Sequence, residues 1–276
     1  MADILTLVFR TLMSKTNLKN DCQITPPSPE SCGTLVLGDN SISRSLLLLA
    51  AVTAAETGMN VIFFTSTQIQ SLPLSLQKCI PSLRPEILKK IKFCYPCRME
   101  ELLQQVASLH EFMSVAPPSL IIVDRLEGYL CSPVGGITSG FYPGEQSCAA
   151  HLAALLCDSA AFLTRLLKQR SSCAAPCSFI ASFQSKVDTG QAGGEASAID
   201  PILDVLDRYF QVRCTLDQDK SYEAVAAGLQ EVWHIFVSGT GTAQSCCMKD
   251  NKGRLNIDQE WQLLIFPDSQ MEFKLV

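Results

Sequence analysis

The stretch Leu35–Ala51, LVLGDNSISRSLLLLAA, decides how the rest of the chain is read. An apolar strand runs into a polar turn opened by Gly38, and a long apolar helix follows. That is the layout of a phosphate-binding loop, whose pattern is Gly, four residues, Gly, Lys, then Ser or Thr. Here the eight positions are Gly38, Asp39, Asn40, Ser41, Ile42, Ser43, Arg44 and Ser45. Gly38 and Ser45 fit, Ser43 replaces a glycine, and Arg44 replaces the lysine. A side chain at Ser43 narrows the backbone angles that let N–H groups close around phosphates. Arg44 keeps the charge but is a planar fork rather than a compact point charge. Asp39 adds a negative charge to a loop that should attract anions, and it opposes a nucleotide if it points inward. At about 4 Å two unit charges interact by roughly 1 kcal/mol in water and roughly 4 kcal/mol at an effective dielectric of 20.

Outward from this stretch the chain alternates strands and helices. TLVLG, NVIFFTS, IKFCY, SLIIVD and CSFIASFQ read as strands. RSLLLLAAVTAAETG, closed by Gly58, PEILKK, RMEELLQQVASLHEFM and CAAHLAALLCDSAAFLTRLLKQR read as helices. The first of these helices is apolar on nearly every side, so it should be buried by its neighbours. The rhythm predicts a mostly parallel sheet with helices on both faces. After Arg208 the pattern changes: YFQVRCTLD, EVWHIFVSG and WQLLIFPDSQMEFKLV read as strands without an intervening helix, and PDSQ sits where a hairpin turn belongs. The C-terminal quarter is therefore expected to add antiparallel strands to the sheet edge. Residues 14 to 32 are polar and proline-bearing and read as a linker. Ahead of them ILTLVF reads as a short helix or strand that docks on the main domain or on a partner. The expected division is an N-terminal extension and linker, 1–32, and one domain, 33–276. Three segments, 131–147, 185–199 and 239–253, read as loops long enough to be functional or disordered.

SLIIVD ends in Asp124, placed like the magnesium-side acid of a nucleotide site. Gln184 ends the strand CSFIASFQ, at the ligand-facing edge of a parallel sheet, where it could sense a γ-phosphate or be a solvated strand end. No glutamate follows VIFFTSTQIQSLP, where an ATPase of this layout would often hold its water-activating acid. Glu127, the nearest acid past Asp124, reads as an exposed helix-start carboxylate. Basic residues cluster at Lys89, Lys90 and Lys92 and at Arg165, Lys168 and Arg170, with Lys186 alone in a glycine-rich segment; such clusters are ordinarily solvated faces. Cys94 and Cys97 form a CYPC half-site, but no second pair of suitable spacing accompanies it, and Cys173 with Cys177 or Cys246 with Cys247 are weak candidates. His110, His151 and His234 are isolated, so no zinc is expected. GxSxG, GxGxxG and HExxH are all missing, which leaves serine hydrolase, dehydrogenase and metalloprotease readings without support.

The bulk properties agree with one α/β domain carrying additions. The chain has 276 residues, 47% of them apolar, enough for a sizeable core. Twenty-two basic against 27 acidic residues does not advertise nucleic-acid binding. No uninterrupted apolar run approaches the roughly 20 residues of a membrane span. Asp3 and Arg10 spoil a secretory signal, and thirteen scattered cysteines fit free thiols in a reducing compartment.

The stretches CGTLVLGDNSISRSLLLLAA, VIFFTSTQIQSLPLSL, KIKFCYPCRMEELLQQV, PSLIIVDRLEGYL and EWQLLIFPDSQMEFKLV, in this order, resemble the RecA-like proteins that associate with the SWIM-domain zinc-finger protein in the vertebrate Shu complex. The resemblance covers about residues 33 to 276. It implies a RecA-like P-loop core, paralogous to the strand-exchange recombinases, and a nuclear role in homologous-recombination repair that supports recombinase filaments on single-stranded DNA. It also implies ATPase activity stimulated by single-stranded DNA. Gly38, Ser43, Arg44 and Ser45 stand at the ATP-binding positions, Ser45 and Asp124 at the magnesium positions, and Asp124 and Gln184 at the catalytic ones. Gly38, Ser45 and Asp124 match the family pattern; Arg44 occupies the lysine position without matching it, and Ser43 does not match the glycine. ATP is therefore expected to bind weakly or not at all. The rival readings are a DNA-stimulated ATPase with Arg44 as phosphate clamp, and a scaffold that touches neither DNA nor nucleotide.

Overall fold

The computed structural model describes residues 4–13, 33–71, 73–79, 84–114, 117–130, 143–171, 174–185, 200–221, 228–239 and 257–276. The loop segments 186–199 and 240–253, most of 131–147, the linker 14–32, Lys186, Cys173, Cys246 and Cys247 lie outside them. In chain order the elements are α1 (Ile4–Thr11), β1 (Gly33–Leu37), α2 (Asn40–Glu56), β2 (Val61–Phe64), α3 (Leu74–Cys79), α4 (Pro85–Leu88), β3 (Ile91–Cys94), α5 (Met99–Ala107) with a 3-10 turn (Ser108–Ser114), β4 (Leu120–Val123), α6 (Glu127–Leu130), α7 (Pro143–Arg170), β5 (Ser178–Phe183), α8 (Pro201–Leu206), β6 (Val212–Asp219), β7 (Glu231–Gly239), β8 (Ile257–Ile265) and β9 (Met271–Leu275).

The strands form one sheet in the order β3-β2-β4-β5-β1-β6-β7-β8-β9. Every pairing from β3 through β6 is parallel, and β6 to β9 are antiparallel neighbours. The central parallel strands β2 and β4 are short continuous apolar runs because both of their faces are covered. One face, with Val36, Phe63, Leu120 and Ile122, packs under α1 and α2. The other, with Leu35, Phe64, Val123 and Phe179, packs under α5, α7 and α8. The antiparallel strands alternate instead. Trp233, Ile235 and Val237 of β7 turn into the first core, while His234 lies beside Asp219 and Glu260 on the other side. The turn at PDSQ is closed by Phe266 and Ser269, with Ser269 in the left-handed region at φ 67° and Asp268 accepting from the Gln270 amide.

Helix α2 is the central element. Leu46 through Ala51 are all essentially inaccessible, as expected of a helix that is apolar all round. ILTLVF is a helix, and it docks on this domain: Leu5, Val8 and Phe9 of α1 are fully buried against α2 and β9, in the same core as residues beyond 33. Helix α7 begins at Pro143, inside the segment read as a loop, because proline is favoured at the first position of a helix. By length and mean hydropathy residues 144–170 could cross a membrane. Their apolar residues are accounted for by the stripe Leu152, Leu156, Ala160 and Leu163 in the second core, and Asp158 and Arg165 interrupt the run.

Candidate functional site

The parallel register builds the site. Phe64 pairs with Val123 and Val123 with Ala181, while Leu37 pairs with Phe183. The residues that follow these strand ends, Thr65, Asp124, Gln184 and Gly38, therefore share the carboxyl edge of the sheet, where ligands of open α/β sheets bind. Asp124 is joined to the Gly38 turn through β5, and the Asp124 amide donates to the Phe64 carbonyl at 2.8 Å.

The turn itself is short. Gly38 packs so closely on β6 that a Cβ there would stand 2.7 Å from Leu216 Cβ. Asp39 is the N-cap of α2, and from Asn40 onward every position of the eight-residue window is helical. Helical N–H groups point along the helix to carbonyls four residues back, as the Ser43 amide does to the Asp39 carbonyl at 3.0 Å. Among the free N–H groups of the first turn, that of Ser41 donates to Asp39 Oδ1 at 2.8 Å, and the Ser41 hydroxyl donates to the same oxygen at 2.6 Å. These bonds hold the Asp39 carboxyl below the usual carboxylate range.

Arg44 leaves this turn and reaches across the strand ends. Its Nε donates to Asp124 Oδ2 at 3.0 Å, and one terminal nitrogen donates to Thr65 Oγ1 at 2.9 Å and Thr67 Oγ1 at 2.7 Å. Asp124 is 0% exposed and Arg44 26%. Thr65 Oγ1 donates to Asp124 Oδ2 at 3.0 Å, and Ser182 Oγ lies 3.4 Å from Oδ1. The carboxylate thus meets donors from α2, from the residue that follows β2, and from β5. Ser45 does not join them: its hydroxyl donates to the Ser41 carbonyl at 3.0 Å. Ser43 Oγ is buried without a hydrogen-bond partner among the described residues.

Gln184 enters through its backbone, whose amide donates to Glu127 Oε2 at 3.1 Å. Glu127 starts α6, as read from the sequence, but it is only 15% exposed rather than solvated. Arg125, which follows Asp124 in the chain, is in the left-handed region at φ 62°, its amide held by Ser182 Oγ at 2.8 Å. Burial pushes the Glu127 carboxyl up, against the opposing pull of the Gln184 amide. Burial first, then the Asp124 charge, keeps the Tyr129 phenol protonated. A carboxyl raised in the folded state binds more protons native than unfolded, so its contribution to stability falls as pH rises from the ordinary glutamate value through the raised one. Glu127→Gln keeps an acceptor for Gln184 and removes the charge. Urea denaturation is expected to show the variant more stable than the wild type at pH 7.5, with the gain shrinking on acidification to pH 4; a less stable variant at pH 7.5 contradicts this.

The two described basic clusters lie elsewhere. Lys89 and Lys90 precede β3, and Arg165, Lys168 and Arg170 end the helix that precedes β5, so both clusters sit toward the amino edge of the sheet. Arg165 lies 5.9 Å over the Phe162 ring. Among the described residues no three His, Cys, Asp or Glu side chains converge as metal ligands. Cys94 is half-buried, with its thiol pushed up by burial, and Cys97 is exposed.

ATP and magnesium are the ligands a frame of this kind would hold, and these residues do not fit them as arranged. A phosphate cradle needs free backbone N–H groups, a cation turned toward them and a hydroxyl and carboxylate for the metal. Here the amide of Ser41 serves Asp39, Arg44 serves Asp124, and Ser45 serves its own helix.

Among solved structures the fold is similar to the RadB recombinase, with a TM-score of 0.51 at 14% identity over 87% of this chain and 90% of that one. It is likewise similar to the KaiC-like protein PH0186 of Pyrococcus horikoshii OT3, with a TM-score of 0.50 at 9% identity over 88% and 89%. The sheet order, the helices on both faces and the turn after β1 define a RecA-like α/β protein. In sequence it is 33% identical over 262 residues to mouse ATPase SWSAP1, covering 92% of this chain and 78% of the mouse protein. Against the human ATPase SWSAP1 it is 33% identical over 187 residues, 67% of this chain and 71% of the human one. The chain belongs to the ATPase SWSAP1 family. No protein-family model matches it.

Proposed function

We propose that this chain is a nuclear homologous-recombination repair factor that works through partners and DNA, with ATP binding weak or lost. It is a RecA paralogue bound to a SWIM-domain zinc-finger protein, as in the Shu complex, and it supports recombinase filaments on single-stranded DNA. The carrying observation is the Arg44–Asp124 pair: a RecA-like frame is kept whole while its phosphate cation is committed to its magnesium-side acid. Family membership and a recombinase-like fold support the recombination role.

Co-expression with the SWIM-domain protein tests the partner claim; a stable complex that binds single-stranded DNA is expected, and two proteins that purify apart would remove it. Titration of fluorescent ATP tests the nucleotide claim. Weak binding and slow turnover, with or without single-stranded DNA, are expected. Tight binding with fast hydrolysis would favour the second reading, a DNA-stimulated ATPase with Arg44 as phosphate clamp, which the relatives' name ATPase favours. DNA binding that vanishes when the zinc-finger partner is removed would favour a scaffold.

A further inference from the structure

We infer that the nucleotide edge of this chain is closed by its own side chains, with the Asp39 carboxylate seated on the first turn of α2 as a built-in competitor of phosphate. The inference deepens the reading of weak or lost ATP binding and rests on it; it adds which residue closes the site and how the site could be opened.

A helix N-terminus attracts an anion through its unpaired N–H groups and its positive end. Here the anion is supplied from within. Asp39 Oδ1 holds the Ser41 amide and the Ser41 hydroxyl, its carboxyl is stabilised in the charged form by those bonds, and it begins the helix at Asn40. A bound phosphate would compete for the same amide and would meet a like charge. Arg44 cannot offset that charge, because its guanidinium is shared among Asp124, Thr65 and Thr67 on neighbouring strand ends. Ser43, with its hydroxyl buried and unpartnered among the described residues, adds bulk at the position that calls for glycine. These observations are independent of one another: a capping bond, a cross-strand ion pair and an orphaned hydroxyl.

Asp39→Asn separates the charge from the cap, since asparagine caps helices about as well as aspartate. Inorganic pyrophosphate and magnesium ATP would be titrated calorimetrically against the full-length wild type, Asp39→Asn and Arg44→Lys, with melting curves at each ligand concentration. Asp39→Asn is expected to bind pyrophosphate at least about fivefold tighter than the wild type, the factor that one like charge about 4 Å away amounts to even in bulk water. It should also gain a ligand-dependent rise in Tm that the wild type lacks. Arg44→Lys should melt lower and gain no affinity while Asp39 remains. Equal, weak binding by the wild type and Asp39→Asn overturns the inference and leaves the weak-ATP reading standing. Tight ATP binding by the wild type overturns that reading itself, and tight binding restored by Arg44→Lys alone shows that Asp39 is not the competitor. If Asp39→Asn does not fold, Asp39→Ser, which also caps, carries the same comparison.

Discussion

Asp124→Ala is expected to lower the unfolding free energy by about 3 kcal/mol and the Tm by roughly 6–12 °C for a domain of this size. Asp124 is fully buried, and its two oxygens take donors from Arg44, Thr65 and Ser182. Removing one partner of a buried pair leaves the other charge uncompensated, which ordinarily costs about 3–5 kcal/mol. The lower end applies because Arg44 keeps 26% exposure and can recover some hydration. The sign of the effect separates two roles. A magnesium-side carboxylate in an open nucleotide site is held for a metal, and its loss in the ligand-free protein leaves stability unchanged or raises it. A carboxylate that joins the ends of β2, β4 and β5 to α2 destabilises when lost. Urea denaturation without nucleotide measures the difference, and an unchanged midpoint in Asp124→Ala would remove the structural role assigned here to the pair.

The legibility of the fold in the sequence follows from local chemistry. TLVLG and SLIIVD are strands buried on both faces, so each is an unbroken apolar run, and their order with α2 and α7 announced the parallel sheet. Strands that follow one another after Arg208 without an intervening helix announced the antiparallel edge. Helices α3 and α8 went unread because six residues are too few for a periodic pattern. The first turn of α7 was hidden by Pro143 and Gly144, which are loop signals elsewhere but compatible with a helix start. At the site, Gly38, Arg44, Asp124 and Gln184 were singled out from type and position, and all four are at the carboxyl edge. Their contacts were not legible. That Arg44 turns to Asp124, 80 residues away, and that Glu127 is largely covered and accepts from the Gln184 amide are consequences of strand register, which no window of sequence contains. Asp39 did carry a readable signal: an aspartate directly before a helix is a cap, and a cap seats the carboxylate on the first-turn amides that a phosphate would need.

Phe9→Ala is expected to cost about 3–4 kcal/mol, an effect as large as any in the sheet, although the residue lies ahead of the linker. An eight-residue helix is marginal alone and takes its stability from packing. Phe9 supplies much of that packing. It is fully buried, its ring stacks on Phe273 at 4.9 Å and 27° and tilts against Trp261 at 5.4 Å and 50°. The chain after the helix is tied to the same edge strand, since the Phe273 amide donates to the Leu12 carbonyl at 3.2 Å and Met13 bridges Phe273 in parallel. Truncation of the ring leaves a cavity against two aromatic side chains of β8 and β9 that the rigid antiparallel edge cannot close. Thr11→Ala, which removes only an exposed hydroxyl bonded to the Leu7 carbonyl, is the control and should shift stability by less than about 0.5 kcal/mol. Both variants read out in the isolated chain by thermal denaturation. If instead α1 serves a partner, Phe9→Ala leaves the Tm of the isolated chain in place and weakens only the complex, and a domain beginning at residue 33 would fold as stably as the full chain. A loss of stability in the isolated chain fixes α1 as the piece of core that covers α2, the helix carrying the Arg44 end of the strand-edge ion pair.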